Sequence, residues 1–115
     1  MAQAQRRFQR LPEALEMRCR RVGARSEAWR IVATHNISAG GASFESEELY
    51  DVSETLEIQI HLPSFRAPLV LLGRVVRSRS LPSGVMDCGV EFVDVTPDQQ
   101  VELDALVQFL SQRVG

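Results

Sequence analysis

Short segments of alternating polarity, separated by turn residues, constrain the fold of this chain most. The clearest segment alternates Leu56, Ile58 and Ile60 with polar neighbours, which is typical of a β-strand with one buried face. Five further short segments show strand-like patterns, at 14–21, 28–37, 42–45, 69–77 and 85–93. This pattern predicts an all-β fold: a small, six-stranded antiparallel β-barrel or, with the same strands, a sandwich.

The pattern also predicts which side chains share a face. In the second segment, Trp29, Ile31 and Ala33 lie on one candidate face, and Trp29 is expected in the core or at its rim. The acidic residues that follow the third segment are expected to form a solvated loop rather than a metal site. They are Glu45, Glu47, Glu48 and Asp51.

The C-terminal part changes to a helical period. Thr96 is a candidate N-cap, with Pro97 at the first helical position and Gln99 completing a capping box. Apolar residues then recur at helical spacing, and they predict a helix over 97–113 that packs on the barrel or on a partner. These residues are Val101, Ala105, Leu106, Phe109 and Leu110.

Composition limits the classes of function. The 115 residues fit one domain, and the net charge of -2 argues against broad binding to nucleic acid or to an anionic membrane. Cys19 and Cys88 lack the spacing of metal ligands and are expected to be buried free thiols in a reducing compartment. No metal and no cofactor are expected. Neither a signal peptide nor an apolar run long enough to span a bilayer is visible, so we expect a cytoplasmic protein.

No residues point to an enzyme. His35 and His61 stand alone, and there is no Ser-His-Asp arrangement, phosphate-binding loop or paired catalytic carboxylate. All 13 basic residues are arginine, whose planar guanidinium can grip a phosphate with two hydrogen bonds and stack on a base.

The first candidate binding motif is a pair of arginines, Arg6 and Arg10, four residues apart beside the N-terminus, with Arg7 between them. Residues 1–12 carry little apolar patterning and are interpreted as a flexible basic arm, which leaves 13–115 for the barrel and its helix. The same spacing recurs at Arg21 and Arg25, which are interpreted as a solvated strand end and turn. The spacing alone therefore identifies no site.

The second candidate motif is the N-x-S-x-x-G segment from Asn36 to Gly41. The Asn36 amide has both a donor and an acceptor and can pair with the edge of a base, and the Ser38 hydroxyl can take either role. Gly40 and Gly41 permit positive φ and a close approach of the backbone to a ligand. The alternative is a plain turn in which Asn or Ser bonds its own backbone.

Taken in order, the two motifs resemble those of the PilZ domain family. Two later segments fit as well: Gly73-Arg74-Val75-Val76 resembles the family's G-x-V strand, and Cys88-Gly89-Val90-Glu91-Phe92 resembles its G-x-x-F strand. The resemblance covers residues from about 5 to 112. It implies a split β-barrel with a C-terminal helix, in a bacterial, single-domain receptor for the second messenger cyclic di-GMP.

The resemblance also implies roles for individual residues. Arg6 and Arg10 would contact phosphate and guanine, and Arg7 would contact a second nucleotide if the ligand binds as a stacked dimer. Asn36 and Ser38 would face a guanine edge, and Gly41 would leave room for the ring. Many family members have Asp where this chain has Asn36, and the loss of that charge is expected to weaken binding without abolishing it.

The expected function is therefore to bind cyclic di-GMP and to relay the signal to an unidentified protein target that controls motility, biofilm or exopolysaccharide. Two alternatives remain. One is a PilZ-fold interaction module that binds no nucleotide. The other is a small β-barrel that binds single-stranded nucleic acid, although the net charge and the few aromatic residues do not favour it.

Overall fold

A computed structural model describes residues 15–23, 27–61 and 66–114 of the chain, with side chains up to residue 110. The strands are β1 (Glu16–Arg21), β2 (Arg30–Ile37), β3 (Gly41–Ser46), β4 (Thr55–His61), β5 (Leu69–Ser80) and β6 (Met86–Val93), followed by helix α1 (Pro97–Val114). They form a closed antiparallel barrel in the order β1-β2-β3-β6-β5-β4, in which β4 pairs with β1. The predicted six-stranded barrel and C-terminal helix are confirmed. The predicted arm, 1–12, lies outside the described residues.

The barrel interior is filled by the apolar side chains of alternate strand positions. Leu56, Ile58 and Ile60 are buried, as their alternation predicts. The same core cluster includes Met17, Phe44, Leu71, Val75, Val90 and Phe92. In β2, the face that carries Ile31 and Ala33 is the outer one: Val32 is buried, whereas Ile31 is 67% exposed. Trp29 lies at the rim, where the guanidinium of Arg20 stacks 4.2 Å from its ring centroid.

Two β-bulges change which residues face outward. In β2, Val32 and Ile37 are both buried although they are five positions apart, which regular alternation would place on opposite faces. The cause is the register shift between Thr34 and Asn36. In β5, the register shifts in the same way between Val75 and Arg77. A bulge adds one residue to a strand and so reverses the alternation beyond it. Asn36 and Arg77 therefore face the outside of the barrel.

Helix α1 begins with the predicted capping box. The backbone N–H of Gln99 donates to Thr96 Oγ1 at 3.1 Å, and the backbone N–H of Thr96 donates to Gln99 Oε1 at 2.9 Å. The Gln99 side chain also donates to the Val70 carbonyl of β5 at 2.9 Å, which ties the helix start to the barrel.

The buried face of α1 differs from the predicted one, and Val107 and Phe109 are partly buried against the core. Leu103, Leu106 and Leu110 join the core, whereas Val101 and Ala105 are exposed, so their assignment to the packed face was wrong. The helix contacts the barrel along one stripe, and apolar residues on its flank remain in solvent.

One end of the barrel is closed by Arg21, which occupies an inward-facing position at the end of β1. Its guanidinium stacks 4.9 Å from the ring centroid of buried Tyr50 and donates to the Leu49 carbonyl at 2.7 Å. It also pairs with three carboxylates: Glu27, Glu48 and Glu54. Arg21 and Glu48, predicted in a solvated strand end and a solvated acidic loop, are 31% and 28% exposed. They are thus partly solvated, and the sequence did not show the ion pairs between them.

The two cysteines are buried free thiols, as predicted. The Cys19 thiol donates to Tyr50 Oη across 3.5 Å. Burial raises the pKa of Cys19 to about 11, and burial also raises the pKa values of Cys88 and Tyr50. Since the thiolate is the reactive form, both thiols are expected to be inert in the folded protein.

We expect Arg21→Gln to lower the free energy of unfolding by about 2 kcal/mol, because it removes hydrogen bonds between charged groups and leaves three carboxylates close together. Urea denaturation measures the change. Arg18→Gln, the same substitution on the same strand, is the control. It removes an exposed ion pair with Glu16 and should lower the free energy of unfolding by less than about 0.5 kcal/mol. Equal losses would contradict the role assigned to Arg21.

We expect neither thiol to react with a disulfide reagent at pH 8 in the folded protein, and both to react in denaturant. Because the folded pKa of Cys19 is raised, its contribution to stability is present below about pH 8.5 and is lost as the pH rises towards its folded value. Thiol titration by absorbance measures the first effect, and unfolding at several alkaline pH values measures the second. Labelling of the folded protein at the rate of a free thiol would contradict this expectation.

Candidate functional site

The β2–β3 turn carries the second predicted motif and is held by its own hydrogen bonds. The Ser38 N–H donates to the Gly41 carbonyl at 2.9 Å. The Ser38 hydroxyl accepts from the Gly40 N–H at 3.3 Å and donates to the Gly41 carbonyl at 3.4 Å. Ser38 thus bonds its own backbone, as the plain-turn alternative expects, but both hydroxyl bonds are longer than the usual hydrogen-bond length. The side chain remains exposed.

The two glycines of the turn bring β3 against β6. A Cβ on Gly41 would overlap the Val90 carbonyl oxygen, so only glycine fits there. The Phe92 N–H donates to the Gly40 carbonyl at 2.9 Å. Neither glycine has positive φ. The close approach that the structure shows is to a neighbouring strand, and an approach to a ligand stays a prediction. The positive φ that these glycines permit is not used.

Asn36 lies on the outer face of β2, directly before the turn. Its partner on β3 is Ser43, which is also on the outer face. The bulge at His35 gives Asn36 this orientation, since without it Asn36 would point into the barrel. The structure therefore brings Asn36, Ser38, Gly40 and Gly41 together at one end of the barrel.

The predicted arginines, Arg6, Arg7 and Arg10, lie outside the described residues. The strand that follows them is described. Met17 pairs with Val32, and β1 runs antiparallel to β2, so the start of β1 points towards the end of β2 where Asn36 lies. The chain therefore enters the barrel at the end that carries the turn.

A row of outward-facing residues crosses four strands beside the turn. Register places Asn36 of β2 opposite Ser43 of β3, Ser43 opposite Gly89 of β6, and Gly89 opposite Arg77 of β5. Ser43 and Arg77 are not among the site residues predicted from the sequence. Gly89 was noted only as part of a strand motif. The alternation pattern does not show the bulge that turns Arg77 outward.

Other features of the described residues offer no competing chemistry. An open pocket of about 320 Å³ lies on the outer surface of β2 and β3, away from the turn, and mixes Arg30 with Glu45, Glu47 and Glu48. No group of three or more His, Cys, Asp or Glu residues within the described ranges could hold a metal ion. Within the same ranges, no helix is long and apolar enough to cross a membrane.

The family model of the PilZ domain matches residues 4–109, and the chain therefore belongs to the PilZ domain family. Two solved structures share its fold. One is the Bacillus subtilis inhibitor of motility MotI/DgrA, with a TM-score of 0.63 and 22% identity over 86% of this chain and 46% of that chain. The other is MrkH, described as a c-di-GMP-dependent transcription regulatory factor, with a TM-score of 0.65 and 14% identity over 88% of this chain and 48% of that chain.

The chain thus spans about half the length of these two proteins. None of the curated protein sequences compared with the chain matches it. At these identities the two structures establish the likeness of the fold, which agrees with the barrel and helix described above.

We expect Gly41→Ala to destabilise the protein and Gly40→Ala to leave it nearly unchanged. The Cβ of the first variant must displace the β6 backbone, which costs about 1–3 kcal/mol or more, whereas a Cβ on Gly40 meets nothing within 4 Å. Thermal and urea unfolding of the two variants measure the difference. A Gly41→Ala variant as stable as the Gly40→Ala control would show that β3 and β6 are not held in this register.

Proposed function

We propose that the chain is a receptor for cyclic di-GMP, which binds through Arg6, Arg7 and Arg10 together with the turn from Asn36 to Gly41. The observation that carries this proposal is that the start of β1 and the turn lie at the same end of the barrel. Five residues lie between Arg10 and Glu16, and an extended segment of six residue-to-residue steps reaches at most about 20 Å. The arginines are therefore tethered within reach of the turn.

The chemistry of these residues suits an anionic guanine dinucleotide. Arginine pairs with phosphate and with guanine O6 and N7, and its plane stacks on a base. Asn36 and Ser38 offer amide and hydroxyl groups to a guanine edge from the outer face of the barrel. Because the whole chain carries a net charge of -2, anion binding depends on these local cations and not on a general basic surface.

The proposed output is a protein contact, made in the bacterial cytoplasm once the arm orders over the nucleotide. Ordering of the arm lowers the affinity, because its conformational entropy is lost on binding, but it also creates a surface that the free protein lacks. Motility, biofilm and exopolysaccharide control are all compatible outputs, since one fold can serve many targets.

We expect isothermal titration calorimetry with cyclic di-GMP to show saturable binding by the wild-type protein. Arg6→Ala/Arg10→Ala should weaken it by about a hundredfold or more, because each charge-assisted contact contributes about 1.5–3 kcal/mol. The matched control is Arg25→Ala, which disrupts the other arginine pair of the same spacing and should bind like the wild type.

Two results would refute the proposal: no heat with the wild-type protein, or equal binding by the double variant. The first would favour a PilZ-fold interaction module that binds no nucleotide. Binding of a single-stranded oligonucleotide in place of cyclic di-GMP, with strong salt dependence, would instead favour the nucleic-acid alternative.

A further inference from the structure

We propose that Arg77 is a further ligand-binding residue, which holds a guanine base from the side opposite Asn36. This inference rests on the proposed function and adds a residue to the same site. Its starting point is the row Asn36–Ser43–Gly89–Arg77, whose members lie directly opposite one another on four neighbouring strands.

We refer to the outer surface of this row as the groove, because small residues in its middle are flanked by larger ones at both ends. Its floor is Ser43 and Gly89, which carry the smallest side chains, and its two walls are Asn36 and Arg77. Neighbouring strands lie about 4.8 Å apart, so Asn36 and Gly89 are separated by about 10 Å. That width accommodates one base with hydrogen-bonding groups at both edges.

Both walls owe their orientation to a bulge. The register shifts immediately before Asn36 in β2 and immediately before Arg77 in β5. Without these two insertions, both polar side chains would point into the apolar interior. Bulges are common at barrel rims and edges and also beside active sites, where they re-aim a side chain. Here two of them re-aim side chains of the same row.

Gly89 allows the Arg77 side chain to lie back across the groove. A Cβ on Gly89 would meet Arg77 Nη1 at 3.0 Å and Cζ at 3.1 Å. The guanidinium therefore rests over the backbone of β6 and not over its own strand. This position brings its donors about one strand spacing closer to Asn36.

The charge of Arg77 is only partly neutralised. Its Nε lies 3.5 Å from Asp87 Oδ2, and Arg79 Nε lies closer to the same oxygen, at 3.0 Å. Asp87 is thus shared, and its better-placed partner is Arg79. The Arg77 side chain is 47% exposed, so its guanidinium is accessible to a ligand.

Guanine presents two acceptors, O6 and N7, that match the guanidinium fork. Adenine presents N7 together with an amino donor, which faces the guanidinium unfavourably, and a glutamine pairs with it better. Arg77 therefore contributes both affinity for cyclic di-GMP and discrimination against cyclic di-AMP.

The test compares four proteins by titration calorimetry with cyclic di-GMP and cyclic di-AMP: wild type, Arg77→Gln, Arg79→Gln and Arg10→Ala. We expect Arg77→Gln to weaken cyclic di-GMP binding by about tenfold and to reduce the preference over cyclic di-AMP. Arg79→Gln is the matched comparison, on the same strand and beside the same carboxylate. It leaves Asp87 to Arg77 alone, so it should weaken cyclic di-GMP binding less than Arg77→Gln does, by about threefold at most, and leave the base preference unchanged. Melting curves by circular dichroism check that each variant is folded.

The outcomes separate this inference from the proposed function. If the wild type binds no cyclic di-GMP, the proposed function fails and the inference fails with it. If the wild type binds and Arg10→Ala does not, unchanged binding by Arg77→Gln overturns the inference alone. Equal losses in Arg77→Gln and Arg79→Gln, or a loss without a change in base preference, overturn the assignment to guanine.

A second variant tests the same geometry without removing the arginine. The Cβ of Gly89→Ala displaces the Arg77 guanidinium from the groove floor. We expect this variant to bind about as weakly as Arg77→Gln, and the double variant to lose little more, because both changes remove one contact. Full additivity of the two losses would contradict a shared contact.

Discussion

Closure of the sheet by the pairing of β1 with β4 is the constraint on which the rest of the structure depends. A closed barrel gives every strand two partners and leaves a fixed interior for side chains. Gly73 shows how full that interior is, since a Cβ there would lie 3.2 Å from Val90 and 3.3 Å from Ile58. Residues that the interior cannot accept must therefore face outward, and the ends of the barrel must be closed by other means.

The outer surface is shaped by the same constraint. Closing six strands requires curvature, and bulges supply it while changing the side chains that follow them. The bulge at His35 turns Asn36 outward, and the bulge at Val76 does the same for Arg77. Irregularities of the sheet thus place polar groups on one face, next to the turn at which the chain enters the barrel.

Local patterns predict the strands well, because alternation such as that of Leu56, Ile58 and Ile60 reports burial directly. The capping box at Thr96 and Gln99 is equally local, and it formed as predicted. Features that depend on long-range register could not be found in this way. The cluster around Arg21 gathers carboxylates from two separate loops, β1–β2 and β3–β4. The role of Gly41 is set by a carbonyl of β6, and the site arginines stay a prediction because they precede the described residues.

The shared carboxylate of Asp87 has a consequence for motion on this surface. If Arg77 swings away from it, Arg79 still holds Asp87 at 3.0 Å, so no buried negative charge is left unpaired. Most arginines in ion pairs must abandon a partner before they can engage another group, and that loss opposes their movement. Arg77 does not incur this penalty, because Arg79 keeps Asp87 paired. The guanidinium of Arg77 can therefore change partners at little energetic cost.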